Sequence, residues 1–361
     1  MARAEREIPG LPGQREEGPV GKRAQREGAT RGSALDSVRH MCSHWHMDVL
    51  VQEMGCRTAL NRVRGMPFCW SLNPYRGCAH ACVYCFARST HPYLDLGAGA
   101  DFSGRLFAKT ALLEVLAGEL SSPRWRREEV AVGTATDPYQ PLEARFRLTR
   151  GSLGLLARHR TPITLITKGP MVRRDTDLLQ ELSRRAGATV CVSIPTVDER
   201  VWRRTEPGTP SPRHRLLAVQ HLVRAGVRAG VLLAPLLPGL SDDVAGITAA
   251  VAAAAAHGAC FVEANLLRLQ PVVKEHYLGF LAAHHPELLP RYRLLYPGAN
   301  APEAVRARAV ALVRRAAAST GVGDRRPAPL LPPARPSPLA LPGIPTVGEG
   351  RRLRSRDAVG C

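Results

Sequence analysis

No apolar run in the 361 residues approaches the roughly 20 that a membrane helix needs. The opening stretch MARAEREIPGLPGQREEGPVG also lacks the apolar core of a secretory leader. The expectation is a cytoplasmic protein without a membrane partner. Cysteine is scarce, with nine residues at positions 42, 56, 69, 78, 82, 85, 191, 260 and 361. An odd and widely spaced set excludes the disulfide framework of a small secreted domain. Lysine is scarcer: Lys22, Lys109, Lys168 and Lys274 are the only four among 50 basic residues.

Acidic residues number 31, which leaves a formal charge of +19. Clustered cations neutralise phosphates, so a nucleic-acid partner is one reading of this excess. The other is compositional bias, because the arginines lie in short scattered runs such as 124–127 and 173–174. Net charge bears on partners and solubility, not on fold.

What the chain does have is enough apolar material for a large core, 45% of its residues. Residues 1–50 are rich in Arg, Glu and Gly, and residues 321–361 are rich in Pro and Arg. Neither stretch buries enough apolar surface to offset its ordering entropy, so both are expected to be disordered tails around a core of 51–320.

Within that core, short apolar runs alternate with helical stretches. The runs are SLNPY (71–75), VAVGTAT (130–136), ITLITK (163–168), ATVCVSI (188–194), VRAGVLLAP (227–235) and ACFVEANLL (259–267). Helices are expected over 106–120, over 174–187 with Gly187 as stop signal, over 211–226, and over 241–258 with Ser241 as N-cap. Six strands each followed by a helix imply an α/β fold with parallel pairing and a partly closed TIM-like (β/α)6 barrel. An open doubly wound sheet is the alternative. Either way a ligand site belongs at the carboxyl ends of the strands.

The chemistry is concentrated in NPYRGCAHACVYCFAR, residues 73–88, with Cys78, Cys82 and Cys85 in Cys-x3-Cys-x2-Cys spacing. Three thiolates so placed can converge on an iron–sulfur cluster. On a [4Fe-4S] cluster they leave one iron without a protein ligand, where S-adenosylmethionine (SAM) can chelate. Two alternatives stay open. His80 could complete a Cys3His zinc site, which makes the rival reading a non-catalytic zinc-binding, nucleic-acid-binding protein. Cys69 or Cys191 could instead complete a four-cysteine electron-transfer cluster.

The triad, with Tyr84 before its last cysteine, resembles that of the radical SAM superfamily. Its flanking motifs are similar to the branch related to spore photoproduct lyase, often called DNA repair photolyase-like. They are TATDPYQPLEARFRLTR (134–150), LITKGPMVRRDTDLL (165–179), VSIPTVDERVWRRTEPGTPSPRHRL (192–216) and GVLLAPLLPGLSD (230–242). The resemblance runs from about Pro67 to Tyr296. It implies the partial radical SAM barrel, with Cys78, Cys82 and Cys85 holding the cluster and Tyr84 and Phe86 flanking the adenosyl group. It further implies that Thr136, Lys168 and Ser193 hold the carboxylate, ribose or methionyl part of SAM. An electron donor such as flavodoxin or ferredoxin, and cleavage of SAM to a 5′-deoxyadenosyl radical that abstracts hydrogen, come with the same resemblance.

Lys168 also stands out by itself, because a lone lysine directly after ITLIT can offer a point charge to a carboxylate or can snorkel from a strand end. Thr136 and Ser193 can equally satisfy their own backbone, and Asp137 before Pro138 is a turn former. Glu206 and Arg215 in TEPGTPSPRHR read as an ion pair or as substrate contacts and are kept out of the catalytic set. Cys191, between two valines, reads as a small buried apolar residue. Cys42, His44 and His46 form no complete metal shell.

The resemblance has one departure. The repair enzyme returns hydrogen from a cysteine at the end of its second strand, and Thr134 stands at that place here. A threonine O–H bond is too strong for that task, so spore photoproduct repair is not expected and the substrate is left undefined.

Overall fold

The computed structural model describes residues 38–40 and 49–323. Among the described residues the strands are β1 (Val38–His40), β2 (Val49–Met54), β3 (Leu60–Arg62), β4 (Trp70–Leu72), β5 (Tyr75–Arg76), β6 (Arg105–Lys109), β7 (Val130–Val132), β8 (Ile163–Thr167), β9 (Ala188–Ser193), β10 (Arg228–Leu236) and β11 (Val262–Leu266). They form two sheets, one in the order β1-β2-β6-β5 and the other β11-β10-β9-β8-β7-β4-β3. In the larger sheet β4, β7, β8, β9, β10 and β11 pair in parallel, and β3 adds an antiparallel edge. Its end strands β11 and β3 do not pair with each other, so the six parallel strands form the expected partial (β/α)6 barrel and do not close.

Register explains why these runs are strands. Leu72, Val132, Leu165, Val190 and Ala229 are successive cross-strand partners. All five are fully buried, and burying a side chain of Val or Leu size stabilises by roughly 1.5–3 kcal/mol. The row aligns the strands so that the segments beginning at residues 73, 133, 168 and 194 leave the sheet on one side.

Helices connect the strands with local caps. Ser211 accepts the His214 N–H at the start of Pro212–Arg224, where Pro212 needs no N–H partner. Asp198 accepts from Arg200 N and Val201 N at the start of Glu199–Thr205, which delivers Glu206 at its far end. The helix Glu303–Ser319 packs on β11 and on the helix Val244–Ala256.

Three expectations change. Residues 105–109 are a strand, not the start of a helix; the helix there is Leu112–Ser121. The alternation of buried Leu106 and Ala108 with half-buried Arg105 and Phe107 has the period of a strand, and β6 lies between β2 and β5. The helix expected over 241–258 spans Val244–Ala256, capped by Asp243, which accepts the Gly246 N–H at 2.8 Å. Ser241 is engaged earlier, accepting the Leu237 N–H. Finally, SLNPY divides, because β4 joins the large sheet and Tyr75 joins the small one.

Of the expected N-terminal segment 1–50, residues 38–40, 49 and 50 are in strands. Cys42, His44 and His46 lie outside the described residues, as does the tail from 324 onward. Among the described residues, no helix is long and apolar enough to cross a membrane.

Candidate active site

The cysteine loop leaves β5 through Gly77, whose φ is +71°. A Cβ there would meet a Leu106 methyl at 2.8 Å and the carbonyl oxygens of Arg105 and Phe102 at 2.9 Å, so only glycine fits. The next residue is anchored by its own backbone, with Cys78 N–H donating to Phe102 O at 3.0 Å.

Gln140, fully buried, braces the same stretch. Its Oε1 accepts Ala79 N–H at 3.0 Å, and its Nε2 donates to Gly77 O at 3.1 Å and to Thr136 Oγ1 at 3.0 Å. The Thr136 hydroxyl donates to Gly77 O at 2.7 Å, so this residue positions the loop backbone. The far side of the loop is tied to the segment after Glu199–Thr205: Val83 N–H donates to Thr205 O and Gly208 N–H donates to His80 O.

Cys78 and Cys82 are buried and Cys85 is partly exposed, and none is in a disulfide. Burial first, then neighbouring Glu206, Cys85 and Cys78, push the Cys82 thiol well up against the pull of Lys168. Burial and Cys78 push Cys85 up to about 11. Thiols held so close in a buried pocket resist ionisation unless a cationic metal centre draws off their charge. This donor set therefore fits an iron–sulfur cluster. Among the described residues no three His, Cys, Asp or Glu side chains converge on the position of a single metal ion. A four-iron cluster presents its metals at separate corners and imposes no such convergence.

His80 is already engaged. Its Nδ1 lies 3.2 Å from Asp137 Oδ2. Burial opposes its charge, but Asp137 and Cys78 prevail and push it up to about 10. Asp137 accepts in addition from Tyr139 N, Thr167 Oγ1 and Lys168 N, which combines the expected turn role with an ion pair.

The other expected residues gather on a second network. Lys168 Nζ hydrogen-bonds with Ser193 Oγ, lies 3.2 Å from Glu206 Oε1, and sits 5.7 Å from the centre of the Tyr84 ring. The Tyr84 hydroxyl donates to Glu206. Glu206 Oε2 accepts from Arg215 Nη2 at 2.5 Å, and Arg215 Nη1 donates to Ser193 O at 2.8 Å. Burial would raise the Glu206 carboxyl, yet Arg215 and Lys168 hold it down to about 2. Glu206 and Arg215 thus form the ion pair, joining Tyr84, Lys168 and Ser193 from three separate stretches. Phe86 stands directly after Cys85 and is half exposed.

Gln140 and Arg88 were not singled out by sequence reasoning. The signal for Arg88 was its place inside the cysteine motif; Gln140 offered none beyond its place in TATDPYQP. Cys69 precedes β4, at the end of that strand opposite the triad, and Cys191 is buried within β9, where burial and Glu263 push its thiol up to about 12. Neither location suits a fourth cluster ligand.

The model of the radical SAM superfamily matches residues 72–249. An uncharacterized protein of Mycobacterium tuberculosis is 40% identical over 289 residues, covering 78% of this chain and 84% of its own length. The chain belongs to the radical SAM superfamily. An uncharacterized protein of Methanocaldococcus jannaschii is 26% identical over 156 residues, or 43% of this chain and 56% of that protein.

The fold is that of spore photoproduct lyase. Its structure in complex with dinucleoside spore photoproduct matches with a TM-score of 0.59 at 14% identity, covering 75% of this chain and 79% of that one. A variant with bound AdoMet and the same photoproduct matches at 0.58 and 13% identity, with the same coverage.

Proposed function

We propose that the chain is a radical SAM enzyme in which Cys78, Cys82 and Cys85 hold a [4Fe-4S] cluster and the network around Lys168 receives SAM. A cluster held by these thiolates would supply the electron for reductive cleavage of SAM into methionine and a 5′-deoxyadenosyl radical able to abstract hydrogen from a substrate. The observation that carries this reading is the meeting of three free thiols and the Lys168–Glu206–Arg215 group at the carboxyl ends of the parallel strands.

The residues divide the work. Gly77, Thr136 and Gln140 shape the entrance of the cysteine loop. Tyr84 lies inside the loop with its hydroxyl tied to Glu206, and Phe86 offers an apolar face beside Cys85 for an adenosyl group. One carboxylate, Glu206, faces two cations, so one positive charge is left over for the SAM carboxylate. Lys168 is the more exposed of the two cations and can present that charge with Ser193 beside it.

Thr134 accepts a hydrogen bond from Asn73 Nδ2 at 3.2 Å and is no hydrogen-atom donor. This supports a product other than repaired spore photoproduct. The reading brings with it an external electron donor such as flavodoxin or ferredoxin, and a nucleic-acid substrate is in keeping with the charge of +19.

The test is anaerobic reconstitution with iron and sulfide, followed by chromatography for 5′-deoxyadenosine after addition of dithionite and SAM. Brown protein that releases deoxyadenosine, with release lost on Cys78→Ala, Cys82→Ala or Cys85→Ala, is expected. Lys168→Met should keep its iron and bind SAM at least about tenfold more weakly, the effect of roughly 1.4 kcal/mol. Colourless protein that retains zinc and leaves SAM intact would overturn the reading.

A further inference from the structure

Of the buried or half-buried cations next to the cysteine loop, His80 faces Asp137, while Lys168 and Arg215 face Glu206. Arg88 differs from these three. It follows Cys85 by three residues, in the short helical turn Phe86–Thr90, and is only 2% exposed. Its guanidinium donates to carbonyl oxygens: Nε to Cys82 O at 3.0 Å, Nη1 to Ala98 O and Gly99 O at 2.9 Å, and Nη2 to Ala81 O at 3.0 Å. The Phe102 ring packs 5.0 Å from its Cζ. Among the described residues no carboxylate pairs with it.

Carbonyl dipoles saturate the donors but do not cancel a full charge, and an uncompensated buried cation is strongly destabilising. The negative charges available to Arg88 are those of the cysteines. Two of its carbonyl partners, Cys82 O and Ala81 O, belong to the loop itself, so its charge is fixed in register with the thiols.

We propose that Arg88 is the built-in counter-charge of the cysteine-bound cluster, raising its reduction potential as well as bracing its loop. The proposal rests on the reading that Cys78, Cys82 and Cys85 hold a [4Fe-4S] cluster. Reduction makes a cluster more negative by one electron, so a fixed positive charge nearby stabilises the reduced form more than the oxidised one.

The experiment uses the full chain, reconstituted anaerobically, as wild type, Arg88→Lys, Arg88→Gln and Arg88→Met. Iron and sulfide are counted, and the cluster is titrated with dithionite in the presence of redox mediators, followed by electron paramagnetic resonance. Arg88→Lys keeps the charge but loses the planar fork, and should titrate near the wild type. Arg88→Met and Arg88→Gln should titrate at more negative potential, with the reduced-to-oxidised ratio at the wild-type midpoint falling about tenfold, which is about 59 mV for one electron.

Uncharged variants that titrate with the wild type, or a lysine variant shifted as far as they are, overturn the proposal. If neither uncharged variant holds a cluster while Arg88→Lys does, the requirement for charge is upheld. Loss of the cluster in all three reduces Arg88 to a loop brace. A wild type that takes up no four-iron cluster overturns the underlying reading instead, before any variant is compared.

Discussion

Glu206 stands between two cations, with Arg215 Nη2 2.5 Å from one carboxylate oxygen and Lys168 Nζ 3.2 Å from the other. Arg215 is wholly buried, so removing its partner strands a charge away from water. Glu206→Gln or Arg215→Met alone should lower the unfolding free energy by about 3–5 kcal/mol. The double variant should lose clearly less than the sum, because each single change leaves the other member unpaired. Urea unfolding of the four proteins measures the coupling, and simple additivity would show that the pair does not act as a unit.

Gly77 and Gly65 have nearly the same φ, +71° and +73°, but only Gly77 is crowded. Gly65→Ala should therefore cost only the left-handed conformation itself, about 1–2 kcal/mol. Gly77→Ala adds a clash with Leu106 and two carbonyl oxygens and should cost clearly more, with reduced iron uptake on reconstitution. Thermal unfolding of the two variants side by side checks the contrast, which fails if they lose stability equally.

Gln140→Leu removes the groups that serve Ala79 N, Gly77 O and Thr136 Oγ1. Thr136 can still donate to Gly77 O, so the main loss is at Ala79 N–H, and roughly 1–3 kcal/mol of stability should go with it. Iron bound per chain should fall as the loop loses its brace. Unchanged stability and full iron uptake would rule out a bracing role.

Lys109 is buried beside β2, its Nζ donating to Asn73 O at 2.8 Å, and burial with Arg76 nearby lowers it to about 8. Below about 8 the ammonium is charged in folded and unfolded chains alike, and the folded state bears the desolvation cost in full. From there to the free-lysine value of about 10.4 the unfolded chain binds more protons, so stability rises with pH through this lysine. Relative to Lys109→Met, the wild type should gain on the order of 3 kcal/mol across that range. Parallel pH profiles of the two proteins would refute the shift.

The strands of the partial barrel were legible because each is a short apolar run with its own turn signal, as in Val130–Val132 and Ile163–Thr167. Gly187 likewise marked a helix end by local chemistry. Residues 105–109 misled because Leu106 and Ala108 suit a helix or a strand by themselves, and only pairing with β2 and β5 decides between them. The cysteine spacing was equally local.

What the sequence by itself determined is the alternation of strands and helices, the cysteine loop and the placing of Lys168 and Ser193 at strand ends. Tertiary structure alone decided how the charges pair. Tyr84 and Glu206 meet across 122 residues of chain, and Ala79 and Gln140 across 61. No periodicity or motif encodes which buried cation finds a carboxylate and which, like Arg88, is left with carbonyls. That outcome depends on the register of the parallel strands, which sets which loops share one end of the sheet, and on the desolvation that forces every charge buried there to find a partner.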